Sequence, residues 1–259
     1  MSDAKLPHAQ GTPCWVDLMT GDQAEALRFY RSLLGWAGEP GGPQVGGYAV
    51  LSLDGRAVAG IGTQPEDQGP SVPAWTTYFA ADDIAAAAER VGVHGGRVFV
   101  GPERIDGVGR LALGTDPGGA VFGLWQPEPF PGFQATDEPG APVWFERVTT
   151  RGKMAAAFYS AVFDIEIPPM EQMPDEYWLV TVDGAQVAGI WDGSGSAIAE
   201  AGSRWQPYFK VADTDAAVTA ALAGGGVVVR AAQDSPYGRL AALADPQGAH
   251  FSVISEPAA

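Results

Sequence analysis

Gly11-Thr12-Pro13-Cys14-Trp15 returns 129 residues later as Gly140-Ala141-Pro142-Val143-Trp144, and the same offset carries Phe29-Tyr30 onto Phe158-Tyr159 and Asp54-Gly55 onto Asp183-Gly184. The offset still holds near the end, where Gly109-Arg110-Leu111 meets Gly238-Arg239-Leu240, Asp116-Pro117 meets Asp245-Pro246, and Phe122 meets Phe251. Two copies of one domain are therefore joined head to tail. A period this long exceeds a solenoid unit of a few dozen residues and leaves each copy enough chain for a core of its own. The first copy is placed at 11–126, a Pro/Gly linker at 127–139, and the second copy at 140–256.

Composition supports two compact domains, because 46% hydrophobic residues over 259 positions can bury a sizeable core. A formal charge of -16 repels phosphate backbones and anionic lipid, so neither nucleic acid nor a membrane is expected as partner. One cysteine, Cys14, excludes an internal disulfide framework, and no apolar run reaches bilayer-spanning length. The first ten residues, MSDAKLPHAQ, lack the apolar centre of a signal peptide, and a cytoplasmic location is expected. Thirty-five glycines and 21 prolines mark many turns and favour short strands.

Within the first copy a strand over 14–19 precedes a helix over 23–34, with Asp22 offered as N-cap and Gly35 as stop. Strands over 48–53 and 57–61 follow, joined by the Asp54-Gly55 hairpin turn. After a loop over 65–73 the order repeats: strand 75–80, helix 84–91, then strands 97–100, 110–115 and 120–125. The second copy follows with a helix over 153–162, strands over 178–182, 186–191 and 205–211, a helix over 214–223, and closing strands to residue 254. The class is α+β, with two βαβββ modules in each copy.

Four such modules, with Phe29-Tyr30 and Phe158-Tyr159, Leu34-Gly35-Trp36, and the closing turns Asp116-Pro117-Gly118-Gly119 and Asp245-Pro246-Gln247-Gly248, resemble the vicinal oxygen chelate superfamily. That group includes glyoxalases, extradiol dioxygenases and bleomycin-resistance proteins. The stretch 11–18 (GTPCWVDL), with Trp144-Phe145-Glu146 in the second copy, is similar to an actinobacterial two-domain subgroup carrying hydroxylase or antigen labels. The resemblance spans residues 11–255 and implies tandem glyoxalase-like domains whose curved mixed sheets enclose a concave cleft.

It also implies a divalent metal held by His and Glu from the concave faces, with positions open for substrate oxygens. The residues at the implied ligand positions differ. The first-strand ligand position falls on Trp15 and Trp144, and the last-strand position on Gly123 and Ser252. The strand near Thr76-Thr77 offers no His, and 57–61 no Glu. With His8, His94 and His250 the only histidines, no multi-histidine site can be assembled. Neither a metal nor another cofactor is expected.

Strand alternation sets Trp15, Asp17 and Met19 on one face, and Trp144, Glu146 and Val148 likewise in the second copy. Gly123 and Trp125 share a face on one closing strand, as do His250 and Ser252 on the other. With Tyr48, Trp75, Tyr177, Trp178, Trp191 and Trp205 added, the inventory suits a flat aromatic or largely apolar ligand oriented by a few polar groups. Some of these rings serve only to pack. Asp17 and Glu146 either face the ligand or act as structural carboxylates paired with an arginine such as Arg110 or Arg239. Across-copy pairing of modules would bring Asp17 to His250; within-copy pairing would bring Glu146 there.

Two functional classes result. The first is metal-independent binding of a planar aromatic or hydrophobic small molecule, for sequestration or carriage. The alternative is a metal-independent enzyme acting on a polyketide- or quinone-like substrate, with Asp17 or Glu146 as base and His250 as helper. Metal-dependent glyoxalase or dioxygenase chemistry, and an interaction protein with an acidic surface, rank below these. The tandem fusion is expected to act as a monomer with an internal pseudo-dimer or as a homodimer.

Overall fold

The computed structural model describes residues 8–64, 73–200 and 202–257. Along the first copy run β1 (Pro13–Thr20), α1 (Gln23–Leu34), β2 (Ala49–Leu53), β3 (Arg56–Thr63), β4 (Ala74–Ala80), α2 (Ile84–Val93), β5 (Arg97–Ile105), β6 (Gly109–Thr115) and β7 (Val121–Pro127). The second contributes β8 (Pro142–Thr149), α3 (Gly152–Phe163), β9 (Pro169–Met170), β10 (Met173–Val182), β11 (Ala185–Asp192), α4 (Ala197–Glu200), β12 (Arg204–Lys210), α5 (Thr214–Ala223), β13 (Val227–Ser235), β14 (Gly238–Ala244) and β15 (His250–Ser255). The α+β class and the mixed sheets hold. The loop expected over 65–73 lies outside the described residues except for Pro73. β10 begins five residues before the expected strand, and β9 and α4 had no counterpart in the sequence reading.

Local chemistry sets the helix ends. Asp22 accepts the Glu25 N–H at 2.9 Å, closing the first turn of α1, and Gly35 ends it at φ 74°, a backbone conformation glycine adopts without steric cost. The offset places Arg151 where Asp22 stands, so α3 has no side-chain cap of its own. Asp192, at the end of β11, takes that role by accepting the Gly152 N–H at 2.7 Å. Asp83 and Asp213 cap α2 and α5 in the ordinary way.

The chain folds as two compact units, and each draws one module from each copy. Unit 1 comprises Thr76–Gly132 and Trp144–Trp205 with the chain up to Trp15; unit 2 comprises Val16–Trp75, Phe133–Val143 and the chain from Gln206. Across-copy combination is therefore how the compact units are built. Unit 1 holds the strand orders β4-β7-β6-β5 and β8-β11-β10-β9, with α2 packed on α3. Unit 2 holds β2-β3-β1 and β13-β14-β15-β12, with α1 packed on α5. Parallel pairs sit beside antiparallel hairpins, as βα crossovers require: β4 with β7 and β8 with β11 in unit 1, β1 with β3 and β12 with β15 in unit 2.

Each core is an aromatic cluster with one buried hydrogen-bond chain. In unit 2, Phe29, Tyr30, Trp36, Trp75, Phe209 and Phe251 meet at centroid distances of 5.0–6.1 Å. Trp75 Nε1 donates to the Tyr30 hydroxyl at 3.0 Å, and that hydroxyl donates to Asp245 Oδ2 at 3.1 Å. In unit 1, Trp205 Nε1 donates to the Tyr159 hydroxyl at 2.8 Å, which donates to Asp116 Oδ2 at 3.0 Å. Asp116 and Asp245 each also accept two backbone N–H groups of their own closing turn. Trp75 and Trp205, read in the sequence as lining a cleft, are thus core residues; their strand parity points them at the tyrosines, and they are 3% and 2% exposed.

One difference between the cores is a buried charge. Arg147 in β8 is fully buried and grips Asp116, with Nε at 2.7 Å from Oδ2 and Nη2 at 3.1 Å from Oδ1, while Nη1 donates to the Val148 carbonyl. The offset sets Leu18 in its place in unit 2, also fully buried.

Candidate functional site

Phe145, Arg147 and Thr149 of β8 are buried, so alternation turns Trp144 and Glu146 to the opposite face. Both are half-buried. The parallel register puts Gly189 of β11 beside Glu146 and Trp191 beside Val148; the antiparallel register puts Tyr177 of β10 opposite Trp191. Tyr177 therefore lies across Gly189, where a Cβ would overlap its hydroxyl. That hydroxyl donates to Glu146 Oε1 at 3.0 Å and accepts the Trp144 indole N–H at 3.2 Å. Trp144, Tyr177, Glu146 and Trp191 form one half-buried patch in unit 1, with Trp191 also bordering a cavity of about 410 Å³ lined by Asp175, Glu176 and Ser194.

Unit 2 repeats the device. Asp17 of β1 stands beside Gly60 of β3, and Tyr48, just before β2, donates to Asp17 Oδ2 at 3.3 Å. A Cβ at Gly60 would overlap the Tyr48 hydroxyl, and one at Gly62 would press on Met19 Sδ at 2.7 Å. Asp17, Tyr48 and Gly60 are carried by the 129-residue offset onto Glu146, Tyr177 and Gly189. The glycine makes room for the ring, and the ring reaches the carboxylate. Of the arginines suggested for these carboxylates, Arg110 lies 3.6 Å from Glu128, and Arg239 holds Asp215 and Asp234.

The remaining expected residues are placed as follows. Gly123 is not a vacated spot: it stands beside Tyr78 of β4, whose ring a Cβ there would overlap. Ser252 is buried and accepts from Gln206 Nε2 at 2.7 Å. His250 opens β15, half-buried, opposite Ala244. Asp17 and His250 belong to the same unit, as across-copy combination requires. Trp178 cannot share a face with its neighbour Tyr177; its ring packs at Gly152, the start of α3. Trp125 and Trp15 both meet Phe130 edge-on.

Cys14 is buried with Sγ 3.6 Å from the Tyr78 carbonyl, and burial pushes its thiol well above the usual range, which suits packing and not nucleophilic attack. His8 borders a cavity of about 640 Å³ in unit 1 with Gln10, Phe163, Asp164, Glu166 and Asp183, and burial lowers its pKa. The fold's divalent metal does not fit the residues present. Its implied positions are held by two indoles, a glycine under a tyrosine and a hydrogen-bonded serine. Among the described residues no group of three or more His, Cys, Asp or Glu is disposed to hold a metal ion. Nor is any described helix long and apolar enough to cross a membrane.

Comparison with known proteins gives the ancestry of this arrangement. Residues 6–124 match the model of the glyoxalase/bleomycin resistance protein/dioxygenase superfamily, and residues 149–254 match that of a glyoxalase-like domain. "Putative glyoxylase CFP32" of Mycobacterium tuberculosis is 39% identical over 254 residues, covering 95% of each chain. The chain belongs to the glyoxalase/bleomycin resistance protein/dioxygenase superfamily. The "Anthracycline biosynthesis protein DnrV" of Streptomyces peucetius is 36% identical over 264 residues, covering 95% of this chain and 94% of that one. Among solved structures, the Mn(II)-bound glyoxalase from Novosphingobium aromaticivorans superposes with a TM-score of 0.67 at 14% identity, covering 97% of this chain and 84% of that chain, which shows a shared fold. Within this superfamily the carboxylate–tyrosine pairs are the feature to be explained. One signal for them was present in the sequence: Tyr48 and Gly60 recur at the repeat offset as faithfully as the Phe-Tyr pair does.

Proposed function

We propose that the chain binds a planar aromatic or largely apolar small molecule without a metal, at the patch formed by Trp144, Glu146, Tyr177 and Trp191. The observation that carries this is the hydrogen-bond chain from the Trp144 indole through the Tyr177 hydroxyl to Glu146. It fixes two rings and a carboxylate in one orientation while leaving all three half-exposed. Fixed rings offer stacking area at little entropic cost, and the carboxylate offers an acceptor for a ligand hydroxyl. The name of the Streptomyces relative agrees with a fused-ring, polyketide-like ligand.

The Tyr177–Glu146 pair favours one second reading, an acid/base enzyme on the same class of compound. A phenol donating to a carboxylate at 3.0 Å forms a short proton path between the two groups. The experiment is a tryptophan-fluorescence titration with 1,8-dihydroxyanthraquinone, with the mixture followed by mass spectrometry. Saturable quenching with the probe recovered intact supports binding. Consumption of the probe, abolished by Glu146→Gln, supports the enzyme; no quenching removes both readings.

A further inference from the structure

The repeat supplies an internal comparison, because Trp15 and Trp144 are equivalent by the 129-residue offset yet differ in access. Trp144 is half-buried, whereas Trp15 is 5% exposed. The cover over Trp15 is visible within unit 1. Phe130, from the linker following β7, sets its ring 5.0 Å from the Trp15 ring at 87° and 6.0 Å from that of Trp125 at 80°. Both are edge-to-face contacts of the kind aromatic quadrupoles favour. The linker backbone is tied independently of that ring: the Phe130 N–H donates to the Val108 carbonyl at 3.1 Å, and the Trp125 indole donates to the Phe130 carbonyl at 3.2 Å. A phenyl ring is thus held against two indoles by a strap with its own anchors.

We propose that Phe130 is the built-in occupant of the aromatic slot at Trp15, so that the chain presents one open aromatic site, at Trp144. This deepens the binding reading and rests on it for its ligand. The strap's anchors are backbone and indole groups, so shortening Phe130 to alanine clears the slot without releasing the strap.

The test has two readouts. N-bromosuccinimide oxidation, mapped by peptide mass, is expected to modify Trp144 and spare Trp15 in the native protein, and to modify both in Phe130→Ala. Titration with 1,8-dihydroxyanthraquinone is expected to give one probe per native chain, two per Phe130→Ala chain, and one bound up to roughly tenfold more weakly by Trp144→Ala, which removes a half-buried ring and keeps the test independent of how Phe130→Ala folds. Rapid oxidation of Trp15 in the native protein, two probes per native chain, or unweakened probe binding by Trp144→Ala would each overturn the proposal. So would a count of one in Phe130→Ala once Trp15 has become reactive, leaving the binding reading intact. Absence of probe binding in every form, with the oxidation pattern as expected, defeats the binding reading and the occupant role with it.

Discussion

Arg147 Nε lies 2.7 Å from Asp116 Oδ2 with both side chains fully buried, and no arginine holds the equivalent place in the other unit, where Leu18 stands. Two folds of the same ancestry thus stabilise the closing-turn aspartate differently. Unit 1 uses a cation, a tyrosine and two backbone amides; unit 2 uses only the last two. Removing one partner of a buried pair leaves the other desolvated and uncompensated, a loss of about 3–5 kcal/mol. Arg147→Ala is therefore expected to lower stability by about that amount in urea unfolding. Arg147→Leu, which copies the arrangement of unit 2, is expected to cost less; an equal loss would show that the cavity, and not the charge, dominates.

The buried tyrosines give the protein an alkaline limit. Burial, reinforced by Asp245 beside Tyr30 and Asp116 beside Tyr159, holds both hydroxyls well above the ordinary phenol value of 10.0. Their folded pKa is raised, so their contribution is complete below the unfolded value and is lost as pH rises from there through the folded one. Thermal melts are expected to fall steeply above about pH 10. Tyr30→Phe leaves Trp75 and Asp245 each short of a partner and is expected to cost about 1–3 kcal/mol at neutral pH. Its melting temperature should converge on that of the native protein as pH climbs.

Asp245 adds an effect at the acidic end. Burial raises its pKa against the lowering influence of its hydrogen bonds. Its neutral form is therefore favoured by folding, a contribution present below the unfolded value of 3.8 and lost as pH rises through the folded one. Acid unfolding of Asp245→Asn is expected to begin at a higher pH, relative to its own plateau, than that of the native chain.

At the proposed site, Trp144→Ala is expected to remove a stacking surface of about 0.5–1.5 kcal/mol, seen as up to roughly tenfold weaker probe binding. Gly189→Ala drives a Cβ into the Tyr177 hydroxyl and should displace that ring from Glu146. Weakened binding with a nearly unchanged melt is the expected outcome; unaltered affinity would detach Tyr177 from the site.

The borrowed cap of α3 is testable by itself. Asp192→Ala frees the Gly152 N–H and is expected to destabilise the protein by about 0.5–2 kcal/mol, measured by thermal unfolding.

The repeat, the module order and the α+β class were legible because turn chemistry and strand alternation are local and occur twice. The same locality let Asp22 and Gly35 be read as helix punctuation, and let Trp15, Asp17, Trp144 and Glu146 be set on a shared strand parity. Ring type alone does not place a side chain: Tyr177 and Trp178 are neighbours on one strand and face opposite ways, and Trp75 and Trp205 face the core. Parity was available in the sequence for these. What was not available is which partner lies across the strand, since register between β8 and β11 or β1 and β3 depends on chain brought back by a helix.

The sequence alone determined that this protein is two copies of a βαβββ pair, with Trp15 and Trp144 at the positions where the family's first metal ligand is implied. Only the tertiary structure decided that each compact unit draws from both copies, that tyrosines reach over glycines to the two carboxylates, that an arginine is buried on Asp116, and that Phe130 covers Trp15. The division follows from range. Periodicity and turn geometry act over a few residues, whereas these contacts join side chains 31 to 215 positions apart, whose pairing is selected by the packing of the whole unit.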